Sequence, residues 1–229
     1  MDIYVVRHGL SEGNAQAIFQ GWIDFPLAEE GRKQAEHLGK FFHQCDLKFD
    51  RIIASSMIRA QETARIIADQ LENSPVIESE NEFKEICVGD LEGVSLSDVE
   101  LKFPDYYNRP PSGWFDFKEF GGESWEMLTA RVDSAMPEYL DESKLLDSGK
   151  MLIVVHGASM RAILRNILKN DDRMMFIRIQ NCTHFKVSFM MSREHLRRYI
   201  AYFMPLTSVI VDGKPYCNLT DDSGSHPAP

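Results

Sequence analysis

Apolar residues in this chain fall into short dense runs separated by amphipathic stretches. Residues 3–6 and 151–155 are two such runs, and each stops at a histidine followed by glycine: Arg7, His8 and Gly9 after the first, His156 and Gly157 after the second. Short apolar runs bounded by glycine predict buried strands. Residues 28–42 carry Ala35, Leu38, Phe41 and Phe42 at helical spacing, with charge on the other face, and predict a helix. A strand is expected at 51–54, a helix at 60–71 and a short third strand at 75–78. A helix follows over 123–139, bent or ending near Pro137, and another over 158–168. Residues 184–189 and 198–203 alternate and predict two more strands, able to form a hairpin. No internal repeat is present. Alternation of strand and helix predicts an α/β protein: a three-layer α/β/α sandwich with a mostly parallel sheet.

Three stretches lack a period. Residues 10–21 are small, polar and glycine-punctuated, suiting a loop that enters a short helix. Residues 83–93 read as loop. Residues 94–122 combine four interrupting Pro and Gly positions (Pro104, Pro110, Pro111, Gly113) with Tyr106, Tyr107, Trp114, Phe115, Phe117 and Phe120. They are expected to form an inserted lid over the carboxyl ends of the strands, with most of the aromatics filling core. Residues 213–229 are expected to be a flexible C-terminal tail, leaving one domain over 1–212.

Composition narrows the function. At 229 residues, 44% hydrophobic and 26% charged, the chain suits a single ordinary globular core. A net charge of −10 makes nucleic acid and anionic membranes poor partners. Neither a signal peptide nor an apolar run long enough for a membrane span is evident. Cys45, Cys87, Cys182 and Cys217 form no C-x-x-C pair, which argues against zinc or a disulfide framework. A cytoplasmic location is expected.

An acidic chain binds an anion only through a local cluster of cations. In open α/β sheets ligands bind at the carboxyl ends of the strands, where Arg7, His8 and His156 fall. A lone histidine there is usually structural; a pair beside an arginine suggests two imidazoles facing one pocket. Arg59 follows a strand near a helix N-terminus, itself favourable for anions. Arginine forks match phosphate oxygens in a way lysine does not. The acid that would protonate a leaving alkoxide is not fixed by chemistry alone, since Glu82, Glu85 and Glu92 all stand in or beside one loop. No metal-ligand spacing is present, and no cofactor is expected.

Arg7, His8 and Gly9 followed by Ser11, Glu12, Gly13 and Asn14 resemble the signature of the histidine phosphatase superfamily, which includes the cofactor-dependent phosphoglycerate mutases. Residues 55–64 resemble its second arginine motif, and 83–93 its glutamate loop. The resemblance runs from about residue 3 to about residue 190. It implies a phosphoglycerate mutase-like fold and a phosphohistidine intermediate on His8. Arg7, Arg59 and His156 would contact the phosphate, with His156 donating to a negative oxygen. Glu85 would be the general acid, implying a mildly acidic optimum. Asn14, Gln20, Gly21 and Gly157 would contact phosphate or substrate. The family usually has Ser or Thr where this chain has Ala28, so the helix there lacks a cap worth about 1 kcal/mol.

Phosphoglycerate mutases also place a lysine and adjacent arginines after the glutamate loop to hold a carboxylate. Here Lys102, Arg109 and Lys118 are scattered, so hydrolysis of a small-molecule phosphomonoester is expected over mutase activity. A non-catalytic phosphoryl-binding scaffold fits poorly, because every expected catalytic residue type is present. The natural substrate and the oligomeric state are not legible in the sequence.

Overall fold

The computed structural model describes residues 1–140, 149–169, 179–192, 195–204, 210–211 and 214–215. Six strands form one sheet: β1 (Asp2–Arg7), β2 (Arg51–Ser55), β3 (Ile77–Glu80), β4 (Lys150–Val155), β5 (His184–Ser192) and β6 (His195–Met204). Their order is β3-β2-β4-β1-β5-β6. The first four are mutually parallel, and β5 and β6 add antiparallel at one edge. The sheet is therefore mostly parallel, as the strand–helix alternation implies.

Side chains alternate across these strands, so each face builds its own core. Ile3, Val5, Ile153 and Val155 pack on one side against α6 (Trp125–Tyr139) and α7 (Gly157–Leu168). Tyr4, Val6, Leu152 and Val154 pack on the other against α2 (Glu29–Gln44) and α3 (Ile58–Ala68). A short α1 (Glu12–Ala15) follows β1, with the Ser11 hydroxyl capping it at the Asn14 N–H. Register then determines the site. β1 and β4 are adjacent and parallel with Arg7 opposite Val155, so the two His-Gly pairs, far apart in sequence, end side by side.

Several boundaries differ from the sequence expectation for identifiable reasons. The third strand starts at Ile77, not 75, because Pro75 has no N–H to give a ladder. Helix α3 starts at Ile58, two residues early. Its capping acceptor is the Asp24 carboxylate, at 2.8 and 3.0 Å from the Ile58 N–H, supplied from 34 residues away. This puts Arg59 in the first turn. Pro137 lies inside α6, which continues to Tyr139. β5 and β6 are longer than their alternating segments, with a register shift between Lys186 and Val187.

Residues 94–122 fold as two one-turn helices, α4 (Val99–Lys102) and α5 (Pro104–Tyr107), and two 3₁₀ turns at Pro111–Gly113 and Lys118–Phe120. Their aromatics pack on one another, Tyr106 stacking on Phe117 at 5.2 Å between centroids. Ile210–Val211 and Lys214–Pro215 pair as β7 and β8; the rest of the expected tail, with Cys217, lies outside the described residues. Among the described residues no helix is long and apolar enough to cross a membrane.

Two stability predictions follow from these surroundings. Ala28 occupies the N-cap of α2 in extended backbone with no side-chain hydrogen bond. Ala28→Ser is expected to stabilise the fold by about 1 kcal/mol, read as a higher midpoint in urea unfolding. Burial lowers the pKa of His184 to about 4, and burial with neighbouring arginines holds His8 and His156 well below 6.5. All three are neutral in the fold and take up protons on unfolding as the pH falls. Stability is therefore full above about pH 6.5 and is lost below it, His184 alone contributing about 1.4 kcal/mol per pH unit. Urea unfolding at a series of pH values from 7 to about 5 would measure this.

Candidate active site

His8 follows β1 and is held from both sides. Its N–H donates to the Val155 carbonyl at 2.8 Å, continuing the ladder with β4. Its Nδ1 lies 2.6 Å from the Gly9 carbonyl. A carbonyl oxygen only accepts, so the proton sits on Nδ1 and the lone pair is on Nε2. A β-carbon at Gly9 would strike the Gly31 carbonyl of α2, so this turn closes only with glycine. The ring is buried and lines the cavity. Burial first, then the charges of Arg59 and Arg7, push its pKa well below 6.5. His8 is accordingly expected to remain neutral at about pH 6, where an ordinary imidazole is mostly protonated. A ¹⁵N NMR titration of the ring nitrogens would read this directly.

Arg59 is 1% exposed, and each of its three nitrogens donates one hydrogen bond within the fold. Nη2 donates to the Gly21 carbonyl and Nη1 to that of Ile23, each at 3.0 Å. Nε donates to His156 Nδ1 at 3.2 Å. Gly21 adopts φ +49°, and a β-carbon there would meet Glu92 and Val88, so the residue that orients this guanidinium must be glycine. Arg7 donates from Nη1 to the Ile179 carbonyl at 2.7 Å. Its Nε is buried and finds no acceptor among the described residues, leaving a donor for a bound anion. Burial lowers the pKa of both arginines, opposed by the charge of Glu85.

His156 lies against His8, with ring centroids 5.1 Å apart. Since Arg59 Nε must donate, His156 Nδ1 accepts, and its proton is on Nε2, directed to Ser55 Oγ at 2.7 Å. In this arrangement the ring shows no N–H to the cavity, whose wall it does not join. Donation to phosphate requires the other tautomer, in which Ser55 turns to donate to Nε2 and Nδ1–H no longer accepts from Arg59 Nε.

Glu85 sits at the N-terminus of α7. Its Oε1 accepts from the N–H groups of Ile86 at 2.9 Å, Ala158 at 3.0 Å and Ser159 at 3.3 Å. Of the three carboxylates that sequence chemistry could not separate, Glu85 lines the cavity and Glu82 and Glu92 do not. Glu92 instead accepts from the Trp22 N–H at 2.7 Å. A β-carbon on Gly157 would lie 3.5 Å from Glu85 Oε2 and from Arg161 Nη1, so this glycine stands between both groups.

The other expected contacts divide. Asn14 lines the cavity, with its carbonyl oxygen held by Asn181 at 3.2 Å. Gln20 and Gly21 also border it, but the Gln20 carbonyl oxygen accepts from Ser11 at 2.8 Å and Gly21 serves Arg59. Sequence reading missed Asn181, which also donates to the carbonyls of His8 and Gly9 at 3.0 and 3.2 Å; nothing in its local pattern signals this. It also missed Arg161, which lines the cavity with its guanidinium 5.7 Å from the Phe115 ring centre. A signal existed there: Arg161 is four residues after Gly157 and shares its helix face. Burial lowers the Arg161 pKa to about 10, opposed by Glu85.

The cavity of about 610 Å³ has two unlike sets of lining residues. Arg7, His8, Arg59, Glu85 and Arg161 form one. Leu96, Val99, Tyr106, Tyr107, Trp114, Phe115 and Phe117 form the other. Phe117 is also 3% exposed within the main core, so the inserted aromatics both fill core and wall the cavity. Among the described residues no cluster of three or more His, Cys, Asp or Glu is arranged to hold a metal.

Residues 3–201 match the family model of the histidine phosphatase superfamily (branch 1). The chain belongs to this superfamily. Relatives within the superfamily include a 2,3-bisphosphoglycerate-dependent phosphoglycerate mutase of Parvibaculum lavamentivorans, 33% identical over 170 residues, covering 73% of this chain and 80% of that one. They also include the uncharacterized phosphatase PhoE of Bacillus subtilis, 31% identical over 199 residues, covering 86% and 93%. A solved mycobacterial glucosyl-3-phosphoglycerate phosphatase in complex with VO3 superposes with a TM-score of 0.74 at 20% identity, covering 88% of this chain and 97% of that one. A phosphoglycerate mutase from Bacillus anthracis gives 0.68 at 25% identity, covering 82% and 87%. Both likenesses are of fold: this chain has the architecture of histidine phosphatases and phosphoglycerate mutases.

Proposed function

We propose that this superfamily member is a phosphatase that hydrolyses a small-molecule phosphomonoester through a phosphohistidine on His8. The Nε2 lone pair attacks phosphorus while the ester P–O bond breaks, and Glu85 gives its proton to the departing alkoxide. The ring becomes cationic when Nε2 bonds phosphorus, and its Nδ1–H to Gly9 stabilises that charge. Water then attacks phosphorus, its proton passes to the Glu85 carboxylate, and phosphate leaves with His8 neutral again. Arg7 and Arg59 hold the equatorial oxygens throughout, beside Asn14, while His156 supports Arg59 in its Nε2–H tautomer and gives up that contact to donate to phosphate in the other. No metal or cofactor has a role in this scheme, and the proposed location is cytoplasmic.

The observation that carries hydrolysis over mutase chemistry is the fate of the inserted cations. Lys102 pairs with Asp98 at 2.9 Å and Lys118 with Asp116 at 3.5 Å. Arg109 pairs with Glu119, donates to the Asp116 carbonyl, and stacks over Tyr106 and Phe120. Each pairs within the insertion, and none borders the cavity. Beyond the phosphate end, aromatic rings face the leaving group, which suits a bulky, partly apolar alcohol. The mutase relatives at about one-third identity keep the second reading alive, with Arg161 as its cation.

The test is a panel of phosphorylated metabolites and aryl phosphates given to purified protein. Release of inorganic phosphate exceeding any isomerisation of 3-phosphoglycerate supports the proposal. Isomerisation stimulated by 2,3-bisphosphoglycerate and faster than phosphate release overturns it.

A further inference from the structure

We propose that the Glu123–Arg131 ion pair is a positioning element for proton transfer by Glu85, acting through the backbone of the glutamate loop. The proposal rests on the reading of Glu85 as the acid. From the 3₁₀ turn at Asn81–Phe83 to Val88 the chain joins no strand, and its peptide groups have no ladder to join. Arg131 meets two of them, donating from Nη1 to the Glu82 carbonyl and from Nη2 to that of Glu85 at 2.9 Å. The same guanidinium forks onto Glu123, Nε to Oε1 at 2.8 Å and Nη2 to Oε2 at 3.0 Å. Glu123 Oε2 in turn accepts from the Cys87 N–H at 2.9 Å, and the Glu123 N–H donates to the Cys87 carbonyl at 2.9 Å.

Residues 82, 85 and 87 are thus tied to one planar ion pair whose side chains are 14% and 11% exposed. The anchor is stiff. Arg131 stands on α6, which buries Leu128, Val132 and Met136 in the core. Neither Glu123 nor Arg131 borders the cavity, so neither can touch substrate. Both hold the backbone from which the Glu85 carboxyl projects, together with Trp22 Nε1 on the Glu85 carbonyl at 2.8 Å and the α7 N–H groups on Oε1. A misplacement of about 1 Å is enough to cost 100-fold in such a step.

Leaving-group dependence separates this role from general support of the fold. A nitrophenolate departs without a proton, whereas an alkoxide needs one. Turnover of glycerol 2-phosphate and 4-nitrophenyl phosphate would be compared in wild type, Glu85→Gln, Arg131→Met, Arg131→Lys and Glu123→Gln, with thermal melts of each. Arg131→Met is expected to lower kcat for the alkyl ester about 100-fold and for the aryl ester less than about 5-fold. Arg131→Lys keeps the charge but cannot fork, and is expected to show the same selective loss. If Arg131→Met does not fold, the isosteric Glu123→Gln carries the test, with a selective loss of about 10-fold. On a Glu85→Gln background, Arg131→Met should add no further loss for the alkyl ester. Equal losses for both esters in a folded variant, or none, overturn the proposal while a selective Glu85→Gln leaves the acid assignment standing. A Glu85→Gln variant that loses both esters equally removes the acid assignment itself, and the proposal with it.

Discussion

Replacing His8 with alanine is expected to lower turnover by about 10⁴-fold or more, the scale of loss when a covalent nucleophile is removed and only binding and charge stabilisation remain. The prediction follows from the tautomer. Nδ1 is committed to the Gly9 carbonyl, so one nitrogen is free to bond phosphorus, and Ala, Asn or Gln supplies no equivalent lone pair on nitrogen. Wild type mixed briefly with a ³²P-labelled ester and quenched should carry an acid-labile, base-stable phosphoryl group, absent from His8→Ala. A variant retaining a tenth of wild-type turnover would place the nucleophile elsewhere.

Arg59→Met is expected to reduce kcat/KM by about 10³-fold, the lower end of what a transition-state arginine supplies in phosphoryl transfer. A second readout tells whether the loss is electrostatic. The charge of Arg59 is, after burial, the largest cause holding the pKa values of His8 and His156 down. Removing it lets both rise towards 6.5 while burial still holds them below that value. The acid limb of the kcat/KM profile should therefore move to higher pH, and the ¹⁵N titration of His8 should move with it. Arg59→Lys should recover little. A single ammonium cannot reach the Gly21 and Ile23 carbonyls and His156 at once, which the three guanidinium nitrogens do at 3.0 to 3.2 Å. Loss of activity with no movement of the imidazole titrations would mean that Arg59 acts by shape and not by charge.

Much of the architecture was written in local pattern. The apolar runs at 3–6 and 151–155, short and stopped by His-Gly, pointed to buried strands, and the helical spacing of Ala35, Leu38, Phe41 and Phe42 to one face of a helix. The His-Gly stops after both strands located the two imidazoles, and Gly157 with its i+4 neighbour contained Arg161 for a reader who continued along the helix. Boundaries failed where a distant group intervened, as when Asp24 extended α3 to Ile58.

What the chain's order determines is which residue types stand at the ends of which strands, because periodicity depends on neighbours a few positions apart. Which groups meet depends on sheet register and on loops crossing from far away. Only β1 lying in register beside β4 brings His8 against His156, and only the packed loops show that Glu85 faces the cavity while Glu82 and Glu92 turn from it. The same holds for the protonated nitrogen of His8, the exhaustion of Arg109 inside the insertion, and the grip of Arg131 on the glutamate loop. Each is set by a hydrogen bond or ion pair in three dimensions, whose direction no local pattern encodes.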